Sequence, residues 1–61
     1  MSTLGKCVLT ELKRERRPMT GTLLADLNGW PETTVRYWLR RLEALGMVAR
    51  PYGRRSGFVA V

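Results

Sequence analysis

The chain has 61 residues, enough for one small core, and we expect residues 1–61 to fold as a single domain. Eleven lysines and arginines stand against five acidic residues, for a net charge of +6, and since only Lys6 and Lys13 are lysine, nine of these cations are arginine. Arginine forms paired hydrogen bonds with phosphate and guanine, and a strongly basic small domain is typical of nucleic-acid binding.

Cysteine and histidine usage excludes other classes. Cys7 is the single cysteine and histidine is absent, so an internal disulfide is impossible and a structural zinc site is not expected. No stretch has the length of a membrane span or the form of a secretion signal. We therefore expect a cytoplasmic protein, which would be nucleoid-associated in a bacterium. We expect no cofactor and no bound metal. An enzyme is not expected, because neither a cysteine–base pair nor a glycine-rich phosphate loop is present.

The first helix is predicted at about 3–16. Apolar residues recur at helical spacing between Leu4 and Leu12. Ser2 or Thr3 can cap the start of this helix. Pro18, which cannot continue a helix, is expected to end it.

The second helix is predicted at about 21–28, after a short extended connector at 17–19. Thr20 can cap it, and the pair Asn28-Gly29 breaks it. Three leucines of this helix are expected to face inward: Leu23, Leu24 and Leu27.

The third helix is predicted at about 32–45, from the turn after Pro31 to Gly46. Its inward face is a stripe of apolar residues at steps of three and four, namely Val35, Trp38, Leu39, Leu42 and Leu45. Its remaining surface is cationic and hydrogen-bonding, and we take its members as candidate ligand contacts: Glu32, Thr33, Arg36, Tyr37, Arg40 and Arg41.

Two short strands, predicted at about 47–51 and 57–61, close the chain as a β-hairpin. Pro51 fits only a strand end or an edge. Between the strands, Arg54 and Arg55 lie at the tip of a loop with a glycine on each side. The expected fold class is α+β, mainly α, with three helices and a C-terminal two-stranded hairpin. One core is expected to hold Leu12, Leu24, Val35, Trp38, Leu39, Leu42 and Phe58.

The segment from Ala25 to Val48 resembles two related motifs. Ala25, Gly29 and Val35 have the spacing of a helix-turn-helix, in which a small residue permits a close helix crossing and glycine takes the turn. Asn28 departs from that pattern, which usually has an apolar residue there. The run TVRYWLRRLEALGMV is also similar to the winged helix-turn-helix signature T-V-x-x-x-L-x-x-L-x-x-x-G-h-V, in which h is an apolar residue. Every fixed position is filled: Thr34, Val35, Leu39, Leu42, Gly46, Met47 and Val48.

The resemblance implies two contact surfaces for double-stranded DNA. The third helix would be the recognition helix in the major groove, and the hairpin would be a wing that places Arg54 and Arg55 on the backbone or in the minor groove. For Glu32 two roles remain open, acceptance from a cytosine amino group and favourable interaction with the helix dipole. Tyr37 could contact a thymine methyl or a phosphate.

The leading interpretation is a small sequence-specific transcriptional regulator, and by analogy a phage or mobile-element protein. The alternatives are an excisionase-like architectural DNA binder and a protein-interaction subunit of a larger nucleoprotein complex. The hypothesis of RNA binding is less well supported, because the sequence lacks paired exposed aromatic residues on a sheet. A single module would bury only about 600–1,000 Å² on DNA, so we expect a homodimer, a cooperative array or a partner protein.

Overall fold

Three helices followed by a two-stranded antiparallel sheet form the described part of the chain, residues 3–53 and 55–61 of a computed structural model. This mainly helical α+β architecture confirms the predicted fold class. The elements are α1 (Thr3–Glu15), α2 (Gly21–Asn28), α3 (Glu32–Ala44), β1 (Val48–Ala49) and β2 (Val59–Ala60).

The core lies where α1 and α2 pack against α3, with the sheet closing one side. Most of the predicted core residues are buried, while Trp38 and Phe58 are half-buried at its edge. Met19, in the connector between α1 and α2, is fully buried and was not predicted to be in the core. The buried apolar residues are Val8, Leu9, Leu12, Met19, Leu24, Ala25, Val35, Leu39, Leu42 and Val48.

Three leucines predicted to face inward are exposed instead. Leu23 and Leu27 have exposed fractions of 36% and 58%. The buried side of α2 is centred on Gly21, Leu24 and Ala25, and at about 100° per residue the other two leucines lie well around the helix from that side. Leu45 is 62% exposed because α3 ends at Ala44, before it.

The hairpin is shorter than predicted, with Val48 opposite Ala60 and Ala49 opposite Val59. Beyond Ala49 the chain turns, and the amide of Gly53 donates to the Arg50 carbonyl at 3.3 Å. Pro51 has no amide hydrogen with which to extend the ladder.

The predicted extended connector adds a minimal third strand on the other side of β2. The Met19 amide donates to the Phe58 carbonyl at 2.9 Å, and the Phe58 amide donates back to the Met19 carbonyl at 2.8 Å. This bridge brings the connector into the core and explains why Met19 is buried. Gly57, immediately before the bridge, is buried against the backbone of Met19.

Local interactions set the helix boundaries. Thr20 caps α2 as predicted, since its Oγ1 accepts from the Leu23 amide at 3.1 Å. The first helix ends one residue early, because Arg16 adopts a left-handed conformation with φ 55°. Thr3 is the first helical residue of α1 among those described, and Ser2 lies outside the described residues.

The turn between α2 and α3 depends on Gly29, whose φ is 68°. The amides of Gly29 and Trp30 both donate to the Ala25 carbonyl. Asn28 Nδ2 donates to the Leu24 carbonyl at 3.0 Å, which accounts for a polar residue at a position where the motif usually has an apolar one.

Replacing Gly29 with Val is expected to lower the free energy of unfolding by about 2 kcal/mol, because a β-branched residue is strained at positive φ. Apart from its two chain neighbours, no described residue has an atom within 4 Å of a Cβ added at Gly29, so the cost is conformational rather than steric. The measurement is the thermal midpoint of unfolding. Gly29→Asn is the control and should lose much less, since asparagine tolerates the left-handed region. Equal midpoints for wild type and Gly29→Val would show that the turn does not require glycine.

Candidate nucleic-acid interface

The outer side of α3 forms an open groove. Val35, Leu39 and Leu42 fix the rotation of the helix by packing into the core, which turns the polar residues between them outward. All six residues singled out from the sequence of this helix line that one groove: Glu32, Thr33, Arg36, Tyr37, Arg40 and Arg41.

Arg36 is held at the edge of this groove by an ion pair. Its Nη2 donates to Glu32 Oε1 at 2.7 Å, one helical turn away. The Thr22 hydroxyl, from α2, donates to the same carboxylate oxygen at 2.7 Å and accepts from Arg36 Nη2 at 3.3 Å. Glu32 therefore already has two partners within the protein.

Arg40 and Arg41 differ from Arg36, since neither has an ion-pair partner among the described residues. Both are exposed on the groove. Tyr37 is 55% exposed, and its ring packs edge-on against Trp38 with the ring centres 5.2 Å apart. The groove therefore combines two free guanidinium groups with one fixed aromatic ring.

A second groove lies between the start of α2, α3 and the hairpin, and among the described residues four arginines line it. Arg36 and Arg40 come from α3, Arg50 follows β1, and Arg55 comes from the loop of the hairpin. Because Arg36 and Arg40 also line the first groove, the two grooves adjoin along them. Arg54 lies outside the described residues. The other residues lining the second groove are Thr20, Gly21, Thr22, Leu39, Gly57 and Phe58.

The base of the hairpin is tied to the last turns of α3. Arg50 forms two hydrogen bonds with the Glu43 carboxylate, Nε to Oε2 at 2.8 Å and Nη2 to Oε1 at 2.9 Å. Its guanidinium carbon also lies 5.0 Å from the centre of the Phe58 ring, within the range of a cation–π contact. Both side chains of the ion pair are about one-third exposed, so solvent screens the pair only in part.

Thr22 and Arg50 also line the second groove, although neither was among the site residues predicted from the sequence, and Thr20 was predicted only as the cap of α2. The spacing of Glu32 and Arg36, four residues apart on one helix, could have predicted their ion pair. Nothing comparable indicated Thr22, which is ten residues from Glu32 and meets it only where α2 crosses α3.

Acidic residues are almost all used within the protein. Four of the five pair with an arginine in the described chain, in the pairs Glu11–Arg14, Glu15–Arg17, Glu32–Arg36 and Glu43–Arg50. Within residues 3–53 and 55–61, no cluster of histidine, cysteine and acidic residues could hold a metal ion. None of the helices in these ranges is long and apolar enough to cross a membrane.

Comparison with known proteins identifies the family. The profile of the IclR helix-turn-helix domain matches residues 8–51, which include the last eight residues of α1, all of α2 and α3, the turn at Gly29, and β1. No curated protein and no solved structure matches the chain. The match covers well over half of the 61 residues and includes both helices of the helix-turn-helix completely. The chain therefore belongs to the IclR helix-turn-helix domain family, whose members are DNA-binding modules of the transcription-regulator type.

Proposed function

We propose that this domain binds double-stranded DNA with sequence preference as a transcriptional regulator. In this proposal α3 enters the major groove and the hairpin acts as a wing on the adjacent backbone or minor groove. Residues 1–61 act together as one DNA-binding module. The base-reading candidates are Arg36, Arg40 and Arg41, with Thr33 and Tyr37 beside them.

The observation that carries this proposal is the position of Arg55. This wing residue lines the same groove as Arg36 and Arg40 of α3, although the two segments are far apart in sequence. A DNA duplex is a continuous polyanion. A protein that contacts both a DNA groove and the phosphates beside it therefore needs two cationic surfaces that adjoin each other. The two adjoining grooves provide such a surface.

The distribution of ion pairs supports the same face. Arg40, Arg41 and Arg55 have no acidic partner in the described chain, so their hydrogen-bond donors are free for phosphate and base edges. Arginine is also common in protein–protein interfaces, but three arginines on one face without carboxylate partners among the described residues favour a polyanionic ligand such as DNA.

A single module of this size would bury about 600–1,000 Å² on DNA, at the lower end for specific binding. We therefore propose that a second copy or a partner protein binds alongside it and contributes the remaining affinity.

The direct test is binding of the 61-residue protein to a random-sequence duplex and to duplexes selected from a random library, at several salt concentrations. We expect selection to yield a preferred sequence and the logarithm of affinity to fall linearly with the logarithm of salt concentration. Binding no tighter than that of an unfolded peptide of equal charge would favour the protein-interaction alternative.

For the wing, Arg55→Ala is expected to reduce the slope of this salt dependence by about one unit and to weaken binding to all duplexes alike. The free energy of unfolding should stay within about 0.5 kcal/mol of wild type, as is usual for an exposed residue without special contacts. Arg14→Ala, on α1 and outside both grooves, removes the same charge and should change the slope less. Identical slopes for Arg55→Ala and wild type would exclude the wing from the interface.

A further inference from the structure

Arg36 is confined by three neighbours. Glu32 Oε1 accepts from its Nη2, and the Thr22 hydroxyl binds both of these groups, which closes a triangle of polar contacts. The aliphatic part of Arg36 lies over Gly21, where an added Cβ would be only 2.9 Å from Arg36 Cγ. The absence of a side chain at Gly21 therefore leaves room for this arginine to lie across the start of α2.

We propose that Glu32 and Thr22 are positioning residues that fix Arg36 in the orientation with which it reads guanine. This inference rests on the DNA-binding function proposed above. It assigns Glu32 a role different from both roles that the sequence left open, because its carboxylate acts on Arg36 rather than on a cytosine or on the helix dipole alone.

The hydrogen-bond inventory of Arg36 is compatible with this role. A guanidinium has five N–H donors, and only Nη2 is engaged with other described residues. Nε and Nη1 keep their three hydrogens, so Arg36 can still donate single hydrogen bonds to a base edge or a phosphate. The same side chain lines both grooves, so a base edge or a phosphate can approach it from outside the triangle.

Fixing the side chain before binding favours specificity over affinity. A free arginine loses rotamer freedom when it binds, and a pre-positioned one loses less. The nearby carboxylate also offsets the charge of Arg36, so its attraction to phosphates of any sequence is reduced. Arg40 has no such partner and is expected to contribute more to general affinity.

The main test is Glu32→Gln. Affinities are measured on the selected duplex, on the same duplex with the guanine that Arg36 is proposed to read replaced by another base, and on random DNA. Discrimination at that guanine should fall about threefold to tenfold, the cost of ordering one long side chain. Affinity for random DNA should rise and its salt slope steepen by up to about one unit, because one opposing charge is lost. These opposite changes would not arise from a merely structural role.

Glu11→Gln is the matched control. Glu11 pairs with Arg14 on α1, so the substitution changes net charge equally but lies outside both grooves. Base preference should stay as in wild type. Within α2, Thr22→Val should reduce discrimination in the same way as Glu32→Gln, while Thr22→Ser keeps the hydroxyl and should restore it. Gly21→Ala should also reduce discrimination, since Arg36 has to move.

The Arg36→Ala background separates the possible outcomes. If Glu32 acts through Arg36, Glu32→Gln should have no further effect on discrimination in that background. A further loss there would mean that Glu32 contacts a base itself and would overturn the inference, as would unchanged base preference in Glu32→Gln alone. If Arg36→Ala itself leaves DNA binding unaltered, the result contradicts the proposed placement of α3 in the major groove.

Discussion

Replacing Gly57 with Ala is expected to lower the free energy of unfolding by about 3–4 kcal/mol. A Cβ at this position would lie 2.7 Å from the carbonyl carbon of Met19, 2.8 Å from its nitrogen and 2.9 Å from its oxygen. The φ of 93° adds conformational strain. Met19 cannot withdraw without breaking both hydrogen bonds to Phe58 and moving a fully buried side chain.

Gly53 provides a close control, because it lies in the same loop with a φ of 95° but, its chain neighbours aside, no described residue has an atom within 4 Å of an added Cβ. Gly53→Ala should therefore lower the free energy of unfolding only by the strain of an alanine at positive φ, about 1–2 kcal/mol. For a domain of this size, each kcal/mol corresponds to roughly 4–8 °C in the midpoint of thermal unfolding. Equal midpoints for the two variants would show that the contact between Gly57 and Met19 does not stabilise the fold.

The second large effect is expected for Arg40→Ala, which should weaken binding to the preferred duplex by about 1–3 kcal/mol, or roughly fivefold to 150-fold. Arg40 lines both grooves and is free of ion pairs in the described chain, so no internal partner competes with DNA for its guanidinium. Folding should be little affected, since the residue is exposed on α3.

Lys13→Ala controls for the loss of one positive charge. Lys13 is exposed on α1 and lines a different depression, with Arg16 and the last residues of the chain. A loss confined to duplexes with a particular guanine would identify Arg40 as a base-reading residue, and an equal loss on all duplexes would identify it as a phosphate contact. If Arg40→Ala and Lys13→Ala weaken binding equally, Arg40 has no special place in the interface.

The sequence was sufficient to predict the order of the helices and strands and to predict which side of α3 is polar. Helical periodicity depends on neighbours three and four residues apart, so it located the helices to within a residue and indicated which side of α3 is polar. Glycine and threonine signals at Thr20, Gly29 and Gly46 likewise act over a few residues, and the helices begin and end beside them.

What the sequence did not predict depends on contacts between distant segments. Leu27 lies three residues after the buried Leu24, at helical spacing, but the packing of α2 on α3 buries the neighbouring side of α2 instead. Met19 is in the core only because Phe58 pairs with it across some forty residues. Thr22 meets Glu32 for a similar reason, and such crossings leave no periodic signal in a single sequence.

The two anchors of the hairpin loop have a consequence for the shape of DNA that the domain can accept. At one end of the loop the Arg50 side chain is hydrogen-bonded to the Glu43 carboxylate. At the other end the backbone of Phe58 is hydrogen-bonded to that of Met19. On the proposed interface, the spacing between the base of the hairpin and α3 is thus set before DNA is bound. A duplex whose groove width differs from this spacing has to deform or give up one contact, and the energy of deformation depends on its sequence. We therefore expect base pairs that no side chain touches to influence affinity, which binding to sites with altered flanking sequence would reveal.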